Sequence, residues 1–168
     1  MRILISNRQK IGRPNTPRIR RLILFFMTRP RKHHSPRRWA ELSLVLTDDA
    51  GISRINRLYL DREGATDVIS FAWPAGPGGG GYCGELFVNV QRALEAGRGN
   101  VEREMALYIA HACDHACGAG DRTGAGRRQM RARELAWLRT AAQQNLLNGI
   151  FFPGGTREKY VFTAARDT

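Results

Sequence analysis

The first forty residues contain no acidic side chain, and the earliest carboxylate of the chain is that of Glu41. The same stretch holds 12 of the 27 Lys and Arg residues, while the other 15 are matched by 15 Asp and Glu, so the net charge of +12 belongs to the N-terminal quarter. Such an excess attracts polyanions, above all the phosphate backbone of nucleic acids. An Arg-rich, acid-free start is also typical of organelle targeting peptides, but the apolar Ile3, Leu4 and Ile5 favour folded structure.

Cysteines and long apolar runs are also scarce. The 168-residue chain has three cysteines without paired spacing, which argues against a disulfide framework and for a reducing, cytoplasmic compartment. The longest apolar run, residues 22–27, is far too short to cross a bilayer, so no membrane partner is expected. The glycine-rich segment 74–81 lacks the Lys-Ser/Thr that completes a phosphate-binding loop, so no nucleotide cofactor is expected.

Hydrophobic patterning predicts an α+β fold. Apolar and β-branched residues predict strands at 2–6, 42–47, 66–73 and 84–90. Periodicity and start signals predict helices at 16–27, 48–59, 101–117 and 127–147, with a basic loop at 29–38. We expect a small mixed sheet of about four strands packed with about five helices. One domain is expected over residues 1–142, and residues 143–168, which lack clear periodicity from 151 onwards, form a C-terminal extension.

The stretch HACDHACGAGD is the main candidate for chemistry. His111 and His115 are four residues apart, so on a helix they leave the same face, rotated by only about 40°. Gly118 and Gly120 allow the chain to turn and bring the Asp121 carboxylate back towards that face. Two imidazole nitrogens and one carboxylate oxygen, with a fourth position left to water, suit a catalytic divalent metal, typically zinc. The sequence therefore predicts a hydrolytic metal site at the end of a long helix and in the turn after it.

Neighbouring residues of this stretch leave several interpretations open. Ala112 stands where zinc peptidases have a general-base glutamate, which argues against an ordinary peptidase. Asp121 is equally suited to a turn or a helix cap. Asp114 is close enough to the first histidine to support the site or handle protons, although a solvated helix carboxylate is the more ordinary interpretation. No role is assigned to Cys113 and Cys117, whose helix face points away from the histidines.

Three motifs follow one another in the order and at the separations of a known family. TDVISF at 66–71, GELFVNV at 84–90 and the histidine helix resemble the YbeY family of metal-dependent endoribonucleases, which act in ribosomal RNA maturation and ribosome quality control. The resemblance extends over about residues 1–142. It includes four further positions: Asn56, Tyr59, Met130 and Glu134.

The resemblance implies a single-strand-specific endoribonuclease with one Zn²⁺ ion, and ribosomal RNA and the small ribosomal subunit as partners. The family motif His-Gly-x-Leu-His-Leu-x-Gly-Tyr-Asp-His places the metal ligands on His111, His115 and Asp121, with Asp in place of the third histidine. His111 is thereby also implied in catalysis. A carboxylate oxygen is an acceptable zinc ligand, and it shifts the preference of the site towards harder metals. The other changed positions, Ala112, Asp114, Ala116, Ala119 and Gly120, remove packing around the ligands.

A second departure concerns an arginine that the family places six residues before the Thr of TDV and that is implicated in RNA cleavage. Leu60 occupies that position here, and Arg57 and Arg62 are the nearby candidates to contact the substrate phosphate. An alternative function is therefore a catalytically impaired RNA- or ribosome-binding protein that retains the fold. A third interpretation, a metal-dependent hydrolase for another substrate, makes no use of the N-terminal charge.

Overall fold

The computed structural model describes residues 1–31, 37–76 and 80–154. Within these ranges the strands are β1 (Arg2–Asn7), β2 (Gly12–Pro14), β3 (Trp39–Thr47), β4 (Val68–Pro74), β5 (Tyr82–Asn89) and β6 (Phe151–Pro153). The helices are α1 (Thr16–Met27), α2 (Asp49–Leu60), α3 (Val90–Ala96), α4 (Val101–Ala116) and α5 (Gly124–Gln143).

The main sheet is mixed and has the strand order β1-β3-β5-β4. Strands β1, β3 and β5 run parallel, whereas β4 pairs antiparallel with β5. A second, two-stranded sheet pairs β2 with β6. The prediction of an α+β fold with a four-stranded mixed sheet and five helices is confirmed for the described residues.

Alternation along the central strand β3 sorts its side chains onto the two faces of the sheet. Leu42, Leu44 and Leu46 are fully buried in the larger core, beneath α1, α3, α4 and α5. Val45 points the other way and packs against a smaller cluster that contains Ile52 of α2. Helix α4 lies in the larger core and contacts α1, α3, α5 and two strands of the sheet, so most of its faces are covered.

Helix ends are set by side-chain caps and one glycine. Asn100 caps α4 by accepting a hydrogen bond from a backbone N–H of its first turn, and Thr123 caps α5 in the same way. After α4 the chain reverses at Gly118, whose φ of +97° lies in the left-handed region that favours glycine. The turn that the sequence predicts after the histidines is therefore present, and a short loop joins it to α5.

Several features differ from the sequence prediction. Strand β3 begins at Trp39, and the short helix α3 was not predicted. Within the predicted C-terminal extension, Leu147, Ile150 and Phe151 are buried in the larger core, so this part is packed onto the domain. Much of the predicted basic loop, part of the glycine-rich connection and the end of the extension lie outside the described residues. Across the described part of the chain, no helix has the length and apolarity of a membrane span.

Some of the N-terminal positive charge is used inside the fold. Arg18 Nη1 donates a hydrogen bond to the carbonyl oxygen of Asn148 at 2.9 Å. Arg37 Nη1 donates to the carbonyl oxygen of Ala116, the last residue of α4, at 2.8 Å. These arginines therefore hold chain segments together as well as contributing positive charge.

Candidate metal centre and groove

The two predicted histidine ligands lie side by side near the end of α4. His111 and His115 are each 25% exposed, and their Nε2 atoms are 3.2 Å apart. Their rings meet edge to face, with centroids 4.5 Å apart. The helical spacing therefore produces the expected pair of converging imidazoles.

The other ring nitrogen of each histidine is held by the protein. His111 Nδ1 lies 2.7 Å from Glu134 Oε1, and His115 Nδ1 lies 3.0 Å from the carbonyl oxygen of Ala119. Because a carboxylate and a carbonyl only accept hydrogen bonds, each Nδ1 carries the proton and each Nε2 keeps its lone pair. When both imidazoles are neutral, two lone pairs face each other at this distance and repel, and either a proton shared by the two nitrogens or a bound cation relieves the repulsion. The pair could therefore hold a cation between its two Nε2 atoms.

The third predicted ligand comes from the loop between α4 and α5. Asp121 Oδ2 lies 3.7 Å from His115 Nε2, and one ligand atom from each of His111, His115 and Asp121 lies within 4.8 Å of the others. Arg127 Nη1 donates to the Asp121 carbonyl oxygen at 2.9 Å and so fixes this loop to the first turn of α5. The three side chains could hold a metal ion, and the donor set of two imidazoles and one carboxylate fits zinc.

Residue chemistry alone did not identify Glu134 as a functional residue, although Glu134 sets the orientation and the pKa of His111. Burial lowers the pKa of His111, but the hydrogen bond and the negative charge of Glu134, together with the charges of two nearby aspartates, outweigh burial, and the pKa is raised. A more basic imidazole is a stronger metal ligand. One signal could have identified Glu134: it follows Met130 by four residues and precedes Leu138 by four, so it lies on the buried face of α5.

Asp114 is not the solvated helix carboxylate that was the more ordinary interpretation. It is fully buried and accepts hydrogen bonds at 3.0 Å from Arg31 Nε to Oδ1 and from Arg133 Nε to Oδ2. Its two oxygens thus serve two guanidinium groups from other parts of the chain. Cys113 and Cys117, on either side of it, are buried as well.

A surface groove of about 570 Å³ opens beside the histidines. One wall is formed by the strand-entry segment 65–70, and His111, His115 and Asp121 line the same groove. The three candidate ligands are therefore accessible to a large substrate from one side.

Residues 4–142 match the family described as Endoribonuclease YbeY. This chain belongs to the YbeY family. The matched range includes all of α4, the Asp121 loop and nearly all of α5, so the whole candidate metal centre lies inside it.

Curated members of the YbeY family resemble this chain at moderate identity. An Endoribonuclease YbeY of Salinibacter ruber is 38% identical over 106 residues, which cover 58% of this chain and 68% of the relative. An Endoribonuclease YbeY of Geobacter metallireducens is 34% identical over 145 residues, which cover 80% of this chain and 91% of the relative. A solution structure from Thermotoga maritima aligns over 85% of this chain and 93% of its own, with a TM-score of 0.49 and 15% identity.

The structure places the two candidate arginines differently. Leu60, which the sequence resemblance sets at the position of the family arginine, lines the groove, and Arg62 lines it as well. Arg57 is not among the lining residues; its side chain is 65% exposed, and its Nε lies 3.7 Å from Glu63 Oε1. Of the two, Arg62 shares the groove with the candidate ligands.

Proposed function

We propose that this chain is a cytoplasmic, metal-dependent and single-strand-specific endoribonuclease that acts on ribosomal RNA of the small subunit, in maturation and ribosome quality control. The observation that carries the proposal is the convergence of His111, His115 and Asp121 within 4.8 Å, beside the groove of a chain that belongs to an endoribonuclease family. Zn²⁺ is the proposed ion, because imidazole nitrogen and carboxylate oxygen are its usual donors.

When bound, the ion supplies Lewis-acid polarisation of a phosphodiester and activation of a water. The chain's own residues prepare that site. Glu134 and the Ala119 carbonyl hold the protons of the neutral imidazoles on Nδ1, so that the Nε2 atoms of His111 and His115 are the ones turned towards the ion. Arg127 fixes the Asp121 loop through its backbone carbonyl. A site held in advance in this way loses little free energy to reorganisation when substrate binds.

Positive charge around the groove is proposed to bind the RNA backbone. Arg62 lines the groove and is assigned to the phosphate at or beside the cleaved bond, where it offsets negative charge that builds on phosphorus. Arg57, which does not line the groove itself but pairs with Glu63 at its edge, is assigned to more distant backbone contacts. The N-terminal arginines that remain exposed add salt-dependent, sequence-independent affinity.

The central test combines metal analysis with RNA cleavage. The wild-type chain and His111→Ala are purified, their zinc content is measured, and both are incubated with single-stranded ribosomal RNA fragments, with and without a chelator. His111→Ala is expected to lose the metal and the cleavage while keeping its bulk RNA affinity. Cleavage by a variant that has lost none of its metal would contradict the role of His111. Cleavage by the wild type that resists both chelator and metal removal would contradict the metal dependence.

The two arginines offer an internal comparison in the same assay. Arg62→Ala is expected to lower kcat by about a hundredfold, the usual loss when one charge-stabilising donor is removed. Arg57→Ala is the matched control for kcat, since it removes the same charge from a residue outside the groove lining whose assigned backbone contacts affect KM. Equal losses in the two variants would remove Arg62 from the reacting phosphate.

A second candidate function is a catalytically impaired RNA- or ribosome-binding protein. The observation that favours it is Leu60, an aliphatic side chain that lines the groove at the position of the family arginine. In that case the wild type binds ribosomal RNA without cleaving it, and Leu60→Arg gains chelator-sensitive cleavage. Cleavage by the wild type that Leu60→Arg does not accelerate would exclude this alternative.

A further inference from the structure

A second cavity adjoins the groove at the candidate metal centre and lies between α4 and α5. We call it the interhelix pocket; its volume is about 170 Å³. It shares Asp67, His111 and Asp121 with the groove, so the candidate ligands stand at the junction of two cavities. If a phosphate of an RNA strand reaches these ligands from the groove, the next nucleotide of that strand lies beside the interhelix pocket.

The floor of the interhelix pocket is apolar. Leu107 of α4 and Met130 of α5 are 1% and 2% exposed, and the ring of Tyr108 lies beside them. Burial, followed by the nearby charge of Glu104, raises the pKa of Tyr108 to about 12, so its hydroxyl remains a hydrogen-bond donor at neutral pH. An apolar floor with one polar edge suits the flat face of a nucleobase better than it suits a phosphate group.

The rim of the interhelix pocket is basic. Arg127 and Arg131 are exposed, lie four residues apart on α5, and both line the pocket. A guanidinium plane stacks on a base and also contacts the adjacent phosphate, which an ammonium group does less well. The carboxylates of Asp67, Asp121 and Glu134 also line the pocket; such groups accept hydrogen bonds from the N–H groups of a base and repel a phosphate. An apolar floor, a phenol, carboxylates and two arginines at the rim together are chemistry that recognises one nucleobase.

Resting on the proposed function, we infer that the interhelix pocket is a nucleobase subsite, which receives the unpaired base of a nucleotide next to the cleaved phosphodiester. A volume of about 170 Å³ is below the roughly 300 Å³ at which pockets for drug-sized ligands begin, so it suits one base and not a base pair. A base reaches such a pocket only when it is free of its helical partners, as in single-stranded RNA. The pocket therefore gives a physical basis for single-strand specificity.

The first test detects base binding without any cleavage. In full-length protein with ¹³C-labelled methionine methyl groups, the Met130 methyl resonance is followed during titration with adenosine 5′-monophosphate, uridine 5′-monophosphate or inorganic phosphate. The nucleotides are expected to shift the Met130 resonance, because Met130 forms the pocket floor, and inorganic phosphate is expected to shift it much less. The Met27 methyl group, on α1, is the internal control. No shift at millimolar nucleotide, or equal shifts with phosphate, overturns the inference.

The second test asks whether the base beside the cleaved bond acts through the interhelix pocket. A single-stranded RNA with one abasic position beside the cleaved bond is expected to be cut about tenfold more slowly by the wild type, since stacking of one base corresponds to roughly that factor. Arg131→Ala is expected to cut intact RNA about tenfold more slowly and to show no further loss on the abasic RNA. Arg128→Ala, an exposed arginine of the same helix that lines neither cavity, is the matched control and behaves as the wild type.

The outcomes separate this inference from the proposed function. If the wild type cleaves RNA, but the abasic position slows Arg131→Ala as much as it slows the wild type, the two effects are independent. In that case the proposed function holds and the nucleobase subsite is wrong. If the wild type cleaves no RNA, the proposed function fails, and the Met130 resonance alone decides whether the interhelix pocket binds a base.

Discussion

Two buried carboxylates lie close to the candidate metal centre, and they contact different kinds of side chain. Glu134 is 2% exposed and faces the imidazole of His111 at 2.7 Å. Asp114 is 0% exposed and faces the guanidinium groups of Arg31 and Arg133. The charge of Glu134 reaches a candidate ligand, whereas the charge of Asp114 is neutralised within the fold.

The difference shows that proximity to the metal helix does not by itself assign a role. Asp114 is one residue from His115, but it joins α5 and the segment after α1 to α4. Both of its arginines lie over the ring of Trp137, at 4.8 Å for Arg31 and 5.7 Å for Arg133. We call Asp114 with its two arginines the buried ion cluster. The buried ion cluster is expected to contribute to the stability of the fold, and Glu134 to the affinity for the metal.

The largest expected effect is the loss of stability in Asp114→Asn. The substitution keeps the shape of the side chain but leaves two largely buried guanidinium groups without a counter-charge. Removing one member of a buried ionic group costs about 3–5 kcal/mol of unfolding free energy. Urea unfolding followed by tryptophan fluorescence measures the change. The folded fraction is expected to bind zinc with unchanged affinity.

A triple variant is the matched control for this prediction. Replacing the whole buried ion cluster with apolar residues, by Arg31→Met, Asp114→Leu and Arg133→Leu, removes all three charges together. Such replacements are often neutral or stabilising, so most of the stability lost in Asp114→Asn is expected to return. A triple variant as unstable as Asp114→Asn would show that packing, and not unpaired charge, causes the loss.

The next largest effect is the loss of metal affinity in Glu134→Gln. The amide still contacts His111 but no longer supplies negative charge, and residues that support metal ligands in this way change metal affinity by about 10–100-fold. Competition with a chromophoric zinc chelator measures the dissociation constant. Glu95→Gln, at an exposed position of α3, is the control and leaves it unchanged. A stability loss in Glu134→Gln as large as that in Asp114→Asn, without a change in zinc affinity, would reverse the two assigned roles.

The part of the site that is local in sequence could be predicted. His111 and His115 share a face because helical geometry requires it, and the return of Asp121 depends on a turn only a few residues away. The four strands of the main sheet were predicted for the same reason, since runs of apolar and β-branched residues mark each of them locally.

The partners of the two buried carboxylates could not be predicted in this way. Glu134 is 23 residues from His111, and Arg31 is 83 residues from Asp114, so each contact depends on how helices pack. No local pattern distinguishes an acid that will be neutralised by a distant arginine from one that faces solvent. Short elements were missed for a related reason: β2 and β6 have three residues each, and their pairing is entirely long-range.

A smaller effect is expected in the reactivity of the cysteines. Burial raises the pKa of the Cys113 and Cys117 thiols on either side of Asp114, whereas Cys83 is partly exposed. In native protein an aromatic disulfide reagent is expected to modify Cys83 quickly and the other two only on unfolding. Asp114→Asn is expected to accelerate the two slow thiols, and Glu134→Gln to leave them unchanged. Equal acceleration by both variants would mean that the two carboxylates do not stabilise separate regions.

The smallest effect is expected at a carboxylate–guanidinium pair that lacks burial. Arg57 and Glu63 are 3.7 Å apart, as in an ordinary ion pair, but their side chains are 65% and 83% exposed. Water solvates both charges whether or not they pair, so Glu63→Gln is expected to change the unfolding free energy by less than about 0.5 kcal/mol. The same urea experiment then compares the stability that a carboxylate–guanidinium pair contributes at the surface with the stability that it contributes in the core. A loss at Glu63 that approaches the loss at Asp114 would mean that burial does not control the strength of these pairs.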